Sequence, residues 1–477
     1  MDFKTKKLEI RNWKLGEDVK CGGSIAAKPY EAEAQAVGND LQRGSTALSG
    51  LWSQQGKQIS NFQFPISSIW RLILGLDVAI FISIFFAEDK MIAVYKYGLF
   101  LLGIGLFWLI TGANYNKLKL IYCFLAGIFL QATLGIWQFL TQSSFACKWL
   151  GMAEHNAGDL GTSVVEIISS IDGIGERWLR AYGGLDHPNV LGGLLVVGML
   201  LVTGLIIKDT KVYFKDTRYK IQGYKQIQNN KFKISNCLGI GYWNLNFVCI
   251  LYLVSCILTF TASIFFTFSR GAWLGLIVGI ITMLAIAVVK KNLLAQKKIL
   301  EIVLISSALI FILFSQFQNL VLTRLSNEAR LEIKSNIERV ESYQDSWEVI
   351  NDNWLFGVGV GNYVLGIRNY ELGIRNNELG IRNNDVFIQP VHNVFLLIWA
   401  EIGVLGLLFF ILMPLFIIHN SLFKNNLRSK NLNIKISILT AVITMFLVDH
   451  WWWSLHFGVL LFWLVLGLMI KFDSQER

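Results

Sequence analysis

An all-α polytopic membrane protein with about ten (10–12) transmembrane helices is the fold that the sequence predicts, on three observations. Of 477 residues, 54% are hydrophobic and only 16% charged, against about 25% charged residues in soluble domains. Ten apolar runs each approach the roughly 20 residues that a bilayer-spanning helix needs. The basic residues collect in alternate connections between those runs. The net charge of +10 therefore reads as an orientation signal and not as a surface for nucleic acid.

Residues 1–64 mix charges with scattered Gly and Ser and hold no sustained period, so a disordered cytoplasmic tail is expected there. No cleavable signal peptide is visible ahead of the first apolar run. The runs fall at 66–87, 92–112, 118–142, 188–207, 238–262, 271–289, 299–317, 392–417, 436–453 and 455–470. Lysines and arginines at 117–119, 208–233, 290–298 and 424–430 mark the cytoplasmic side, and both termini fall with them. Seven helices then occupy 65–317, an outer loop fills 318–391, and three helices close the chain over 392–477. The last two runs form a hairpin around Trp451-Trp452-Trp453, whose indoles are expected at a membrane surface.

Two outer connections are long. The first, 143–187, closes with Arg180 and leads into His187-Pro188-Asn189, where Pro188 suits the first turn of a helix. In the second, Ile333, Ile337, Val340, Tyr343, Trp347 and Ile350 are spaced by three and four. That spacing predicts a helix over Leu331–Asn353 lying along the outer surface by its apolar face. A glycine-rich break follows at Gly357–Gly361, and then three copies of a seven-residue repeat begin at Leu365, Leu372 and Leu379. Leu and Ile are two and five apart within it, so it is no coiled coil, and disorder is expected over 365–385. The six cysteines show no metal-ligand spacing and read as small hydrophobes.

His392 lies where a polar loop meets a long apolar helix. A base placed there can act on a substrate whose tail is in lipid and whose head is in water; the alternative reading is a helix cap. Arg270 sits between two spans with almost no loop, either as a helix-end anchor or as an anion ligand. Arg180 stands at another outer helix entrance, either solvated or functional. Glu401 is nine residues into the helix that His392 starts, ~13 Å along it if the helix is regular. It reads as a functional acid, as part of a helix break at Gly403 and Gly406, or as a partner of Arg71. No phosphate-cradling GxxxxGK[ST] loop and no metal cluster is encoded, so neither cofactor nor metal is expected. The energy for an outer-side reaction must then arrive in the substrate.

The chain resembles the O-antigen ligase and polymerase superfamily of bacterial membrane glycosyltransferases. The resemblance is carried by Arg180, Gly183 and His187-Pro188-Asn189-Val190-Leu191-Gly192; by Thr267-Phe268-Ser269-Arg270-Gly271-Ala272; by Trp354-Leu355-Phe356-Gly357-Val358-Gly359-Val360-Gly361-Asn362-Tyr363; and by His392-Asn393 with Glu401, Gly403 and Gly406. It implies a GT-C-like architecture and metal-independent, inverting transfer of a glycan from undecaprenyl pyrophosphate. The acceptor would be a hydroxyl on a lipid-core sugar, a polysaccharide or a protein, at the outer face of the inner membrane. In that reading Arg180 and Arg270 hold the pyrophosphate and His392 is the base. Supporting roles fall to Asn189, Ser269, Arg339, Asn393 and Glu401. The rival reading is a permease for inorganic carbon or another small solute, which would place ionisable groups near the bilayer midplane.

Overall fold

The computed structural model describes residues 68–471, except 160, 169–174, 228–238, 327–329, 368–388 and 425–430. The tail expected over 1–64 and the repeats from residue 368 onward lie outside the described residues. All described residues belong to one compact unit, Pro65–Arg477.

Besides a short helical stretch at 363–367, twelve α-helices are described, of which ten carry the apolar runs, α8 is amphipathic and α11 a single turn: α1 Ser68–Phe86, α2 Lys90–Gly112, α3 Lys117–Thr141, α4 Pro188–Ile227, α5 Gly239–Phe266, α6 Arg270–Val289, α7 Leu293–Ser326, α8 Arg330–Asn353, α9 Val394–His419, α10 Leu432–Phe446, α11 Trp451–Ser454 and α12 His456–Lys471. Eight described helices are long and apolar enough to cross a membrane, and α10 and α12 are shorter apolar helices. The chain is a multi-pass membrane protein. Side chains such as Leu74, Phe85, Leu102, Leu304 and Phe311 are exposed, as lipid-facing positions are. The central helix is α4: 89% of its apolar window is buried, against 28% in α1 and 22% in α2. Around it α6 packs along α10, α2 along α12, and α1 along α9.

Between α3 and α4 the chain forms a two-stranded antiparallel hairpin, β1 Val164–Ile168 with β2 Gly175–Leu179, registered Val164 to Leu179. The all-α expectation missed it, although four of the five β1 residues are Val or Ile, which suit a pleated half-buried surface. The ladder ends at Arg180, whose N–H still reaches Ser163 O at 3.4 Å.

Helix α8 exists as expected, and its apolar stripe is largely exposed. Its buried positions are Glu332, Ser342, Ser346, Val349 and Ile350, whereas Ile333, Ile337, Val340 and Trp347 are exposed. The polar side faces the protein and leaves most of the apolar stripe free, the orientation that suits a helix lying on a bilayer. The reading of the three tryptophans is corrected. Trp451, Trp452 and Trp453 are buried, and Trp453 Nε1 donates to Glu401 Oε2 at 2.8 Å, so they are core residues.

Glu401 belongs to a break in α9, not to a pair with Arg71. Gly403 has φ 74° and ψ 179°, so the regular ladder stops there. The carbonyls of Ala400 and Glu401 instead accept the N–H groups of Val358 and Gly359, each at 2.9 Å, and Val404 N–H turns to Trp354 O at 2.9 Å. A glycine-rich loop thus docks its backbone into the broken helix and satisfies the freed groups, as low-dielectric surroundings require. Gly357, Gly359 and Gly361 all carry positive φ to make the loop follow this path.

Candidate active site

Four segments meet at one end of the bundle: the entrance of α4, the α5–α6 turn, helix α8 and the entrance of α9 with the turn after α10. At the first, Pro188 opens α4, and His187 Nδ1 accepts the N–H of Asn189 at 3.1 Å. That bond needs an unprotonated Nδ1. Burial first, then the Arg180 charge, push His187 down to about 3, in keeping with a neutral imidazole. The turn before it is clamped by buried Gln138, whose Oε1 accepts Gly183 N–H at 2.8 Å and whose Nε2 donates to Gly183 O at 2.8 Å.

This turn fixes Arg180, which is 3% exposed. Its Nε donates to Thr267 O at 2.7 Å, one terminal nitrogen to Ser163 Oγ at 2.7 Å, and the other to Asn189 Oδ1 at 2.8 Å. Asn189 passes the connection on, its Nδ2 donating to Asp449 Oδ2 at 2.7 Å. Asp449 Oδ1 accepts His450 N–H at 2.9 Å and stands 3.9 Å from His392 Nδ1, beyond hydrogen-bond length but within charge–charge reach. Arg180, Asn189, Asp449 and His392 therefore form one continuous set drawn from distant parts of the chain.

Burial acts to raise the Asp449 carboxyl, but the surrounding His392, His450 and His187 imidazoles outweigh it and leave it below the ordinary carboxylate range. His450 is lowered to about 4, first by burial. At neutral pH Asp449 is thus ionised, accepting from Asn189 and the His450 N–H, beside the neutral imidazoles of His187 and His450.

Arg270 enters through the α5–α6 turn. Phe268 there has φ 47°, a left-handed conformation that costs a bulky residue about 1–3 kcal/mol. The turn aims Thr267 O at Arg180 and Phe268 O at Arg324 Nε, 3.1 Å away, so adjacent carbonyls hold two guanidiniums. Ser269 caps α6, its side chain accepting Ala272 N–H at 3.3 Å. Arg270 itself lies 3.4 Å from Glu332 Oε2 and 3.5 Å from Asn336 Oδ1. Glu332 Oε1 pairs with Arg324. Arg339, two turns further along α8, acts electrostatically on both Arg270 and His450, and its buried Nε has no hydrogen-bond partner in the protein.

The cap of α9 is Asn393, whose Oδ1 accepts Phe395 and Leu396 N–H at 2.9 and 3.2 Å. His392 is thus not the cap, and its ring is left for other work: the side chain is 18% exposed and the ring centroid lies 5.1 Å from that of His450. Among the described residues, His392, Asp449 and His450 also form a cluster able to hold a metal ion, one atom from each lying within 4.8 Å of the others.

Sequence reasoning pointed to Arg180, Asn189, Ser269, Arg270, Arg339, His392 and Asn393, and the structure brings them to this end of the bundle. Glu401 is not among them; it lies at the helix break behind His450. Arg324, Glu332, Asp449 and His450 had no assigned role. The available signal was an Asp-His pair at the end of an apolar run, where ionisable groups are rare.

Glu332 is the buried acid that neutralises the α6–α8 junction, so removing it leaves two guanidiniums without their carboxylate. Glu332→Ala is expected to destabilise the protein by about 3–5 kcal/mol, read as a lower unfolding temperature that inorganic pyrophosphate partly restores. An unchanged unfolding temperature would mean that solvent already screens the pair.

Residues 254–411, from within α5 to within α9, match the family model described as O-Antigen ligase. No curated protein matches the chain. The matched segment contains Arg270, Arg324, Glu332, Arg339 and His392; Arg180, Asn189, Asp449 and His450 lie outside it.

Proposed function

Since the chain belongs to the O-antigen ligase superfamily, we propose that it transfers a glycan from undecaprenyl pyrophosphate to an acceptor hydroxyl at the outer face of the inner membrane, as a ligase or a polysaccharide polymerase. The observation that carries this reading is a convergence of guanidiniums, Arg180 and Arg324 buried and Arg270 and Arg339 half-buried beside them. Arg324 lies in the field of both Arg180 and Arg270, and Arg339 in that of Arg270, so four guanidiniums converge here, with Glu332 and Asp449 as carboxylates beside them among the described residues. Like charges gathered at a half-buried rim repel one another, and an anion bound among them relieves that repulsion. A pyrophosphate diester carries one negative charge on each phosphate and offers oxygens that guanidinium forks match in pairs.

Arg270, whose side chain is 27% exposed, and Arg339 make the direct contacts in this reading. Arg180, committed to three protein acceptors, contributes its charge. The acceptor oxygen attacks the anomeric carbon from the face opposite the pyrophosphate. The bond from that carbon to the pyrophosphate oxygen breaks, and its electron pair leaves on the pyrophosphate, where the guanidiniums stabilise it. The hydroxyl proton passes to His392 as general base, and the Asp449 carboxylate stabilises the resulting imidazolium. Configuration at the anomeric carbon inverts. The ionisable groups gather at one end of the helices, whereas a permease would place its coupling groups near the middle.

The guanidiniums do the neutralising work, so no metal is required. Reconstituted protein supplied with an undecaprenyl-pyrophosphate-linked glycan and acceptor is expected to keep its full transfer rate in EDTA. Loss of transfer that a divalent ion restores would reassign His392, Asp449 and His450 as a metal site.

A further inference from the structure

A cavity of ≈ 250 Å³ lies beside His450, and none of the four arginines lines it. Lys96 and Phe100 of α2, Tyr363 after the glycine-rich loop, Glu401 of α9, His450 and Trp453 form its walls. The polar part of this wall is held in place. Glu401, 6% exposed, accepts Trp453 Nε1 at 2.8 Å and the backbone N–H groups of Gly361 and Tyr363. Lys96 Nζ donates to Ser454 O at 2.6 Å, which leaves two of its three N–H groups for a ligand.

Three properties define the occupant. Lys96 and Glu401 lie within each other's field, so the cavity suits a neutral molecule, in contrast to the guanidinium cluster around Arg270. Its volume is below the roughly 300–1,000 Å³ of sites for drug-sized ligands, which leaves room for one ring and not for an oligosaccharide. Charged groups set among aromatic side chains suit hydroxyls carried on a ring; an isoprenoid chain would leave Lys96 desolvated without compensation. The cavity lies next to the neighbour of the base: Pro390 and His450 line it, and the His450 ring is 5.1 Å from that of His392.

We propose that this cavity is an acceptor subsite, holding one neutral sugar residue of the acceptor on the His450 side of the base; the proposal rests on the glycan-transfer reading above. Saturation-transfer NMR on the full chain in nanodiscs tests it, with the methyl glycosides of glucose, galactose, mannose, rhamnose and N-acetylglucosamine as probes. At least one glycoside is expected to give a signal with the wild type that inorganic pyrophosphate does not displace. Val364→Phe and Val459→Phe, which fill the cavity from different walls, are expected to abolish that signal. Lys96→Gln, which keeps a donor but loses the charge, is expected to weaken it should a filled variant fail to fold. A signal from no glycoside, a signal unchanged in the folded filled variants, or displacement by farnesol would each overturn the proposal, the last by assigning the cavity to a lipid chain. If the glycosides fail while His392→Ala still abolishes transfer from the lipid-linked donor, the subsite falls and the enzymatic function stands. If His392→Ala also transfers normally, the reading of the site falls with it.

Discussion

His392→Ala is expected to abolish glycan transfer while the protein accumulates in the membrane at the wild-type level. Loss of a general base alone accounts for about 10²–10⁴-fold in rate, enough to empty the glycan profile of its product. The substitution is expected to spare folding for a local reason. Asn393 caps α9, and the contact of His392 to the Tyr343 hydroxyl, at 3.4 Å, is made by its backbone carbonyl. What alanine removes is the imidazole 3.9 Å from Asp449 and beside the His450 ring. Glycan electrophoresis beside an immunoblot of the membrane fraction separates the two effects. A normal profile with normal protein would remove His392 from the chemistry.

The second large effect concerns the scaffold. Gly403→Ala is expected to prevent stable accumulation of the protein. At φ 74° and ψ 179° the backbone occupies a region essentially reserved for glycine, at about 1–3 kcal/mol for any other residue. A Cβ there would also lie 2.0 Å from the carbonyl oxygen of Leu355, a backbone atom that cannot swing aside. The loop would have to leave the helix break, stranding the carbonyls of Ala400 and Glu401 that Val358 and Gly359 now satisfy. The outcome is read as membrane protein level and unfolding temperature; wild-type values for both would show that the interlock tolerates displacement. This position lies beyond the catalytic residues, so loss of activity without loss of protein is not the expected pattern.

The helices were legible because a bilayer demands long apolar runs, but their ends were not: the run at 299–317 lies inside a helix from Leu293 to Ser326 that passes a non-helical Phe317, and the run at 188–207 inside one that reaches Ile227. In α8 the spacing of Ile333, Ile337 and Val340 revealed the apolar stripe that is exposed in the structure, but not that Glu332, Ser342 and Ser346 of the opposite side pack inward. Tryptophan poses a related problem: Trp451 to Trp453 suit an interface or a core equally, and only the carboxylate of Glu401 explains why Trp453 is inside. The short strand Val164–Ile168 was hidden in a loop that also holds many polar residues. Within the site, Arg180 and His392 were legible from their places at helix entrances. Glu332 and Arg324 were not, because each sits on a different helix and their pairing is tertiary. Asp449 was marked only by its place beside His450 at the end of an apolar run, which does not reveal that it joins the α4 entrance to the base through Asn189.

Affinity for the lipid-linked pyrophosphate tests the central claim most directly. Binding of undecaprenyl pyrophosphate to the reconstituted wild type, to His392→Ala and to the double variant Arg270→Ala with Arg339→Ala can be measured against undecaprenol, which lacks the phosphates. Removing two charge-assisted contacts of about 1.5–3 kcal/mol each is expected to weaken pyrophosphate binding by at least tenfold, with undecaprenol unaffected and His392→Ala close to wild type. Equal affinity for undecaprenyl pyrophosphate in the wild type and the double arginine variant would contradict the account.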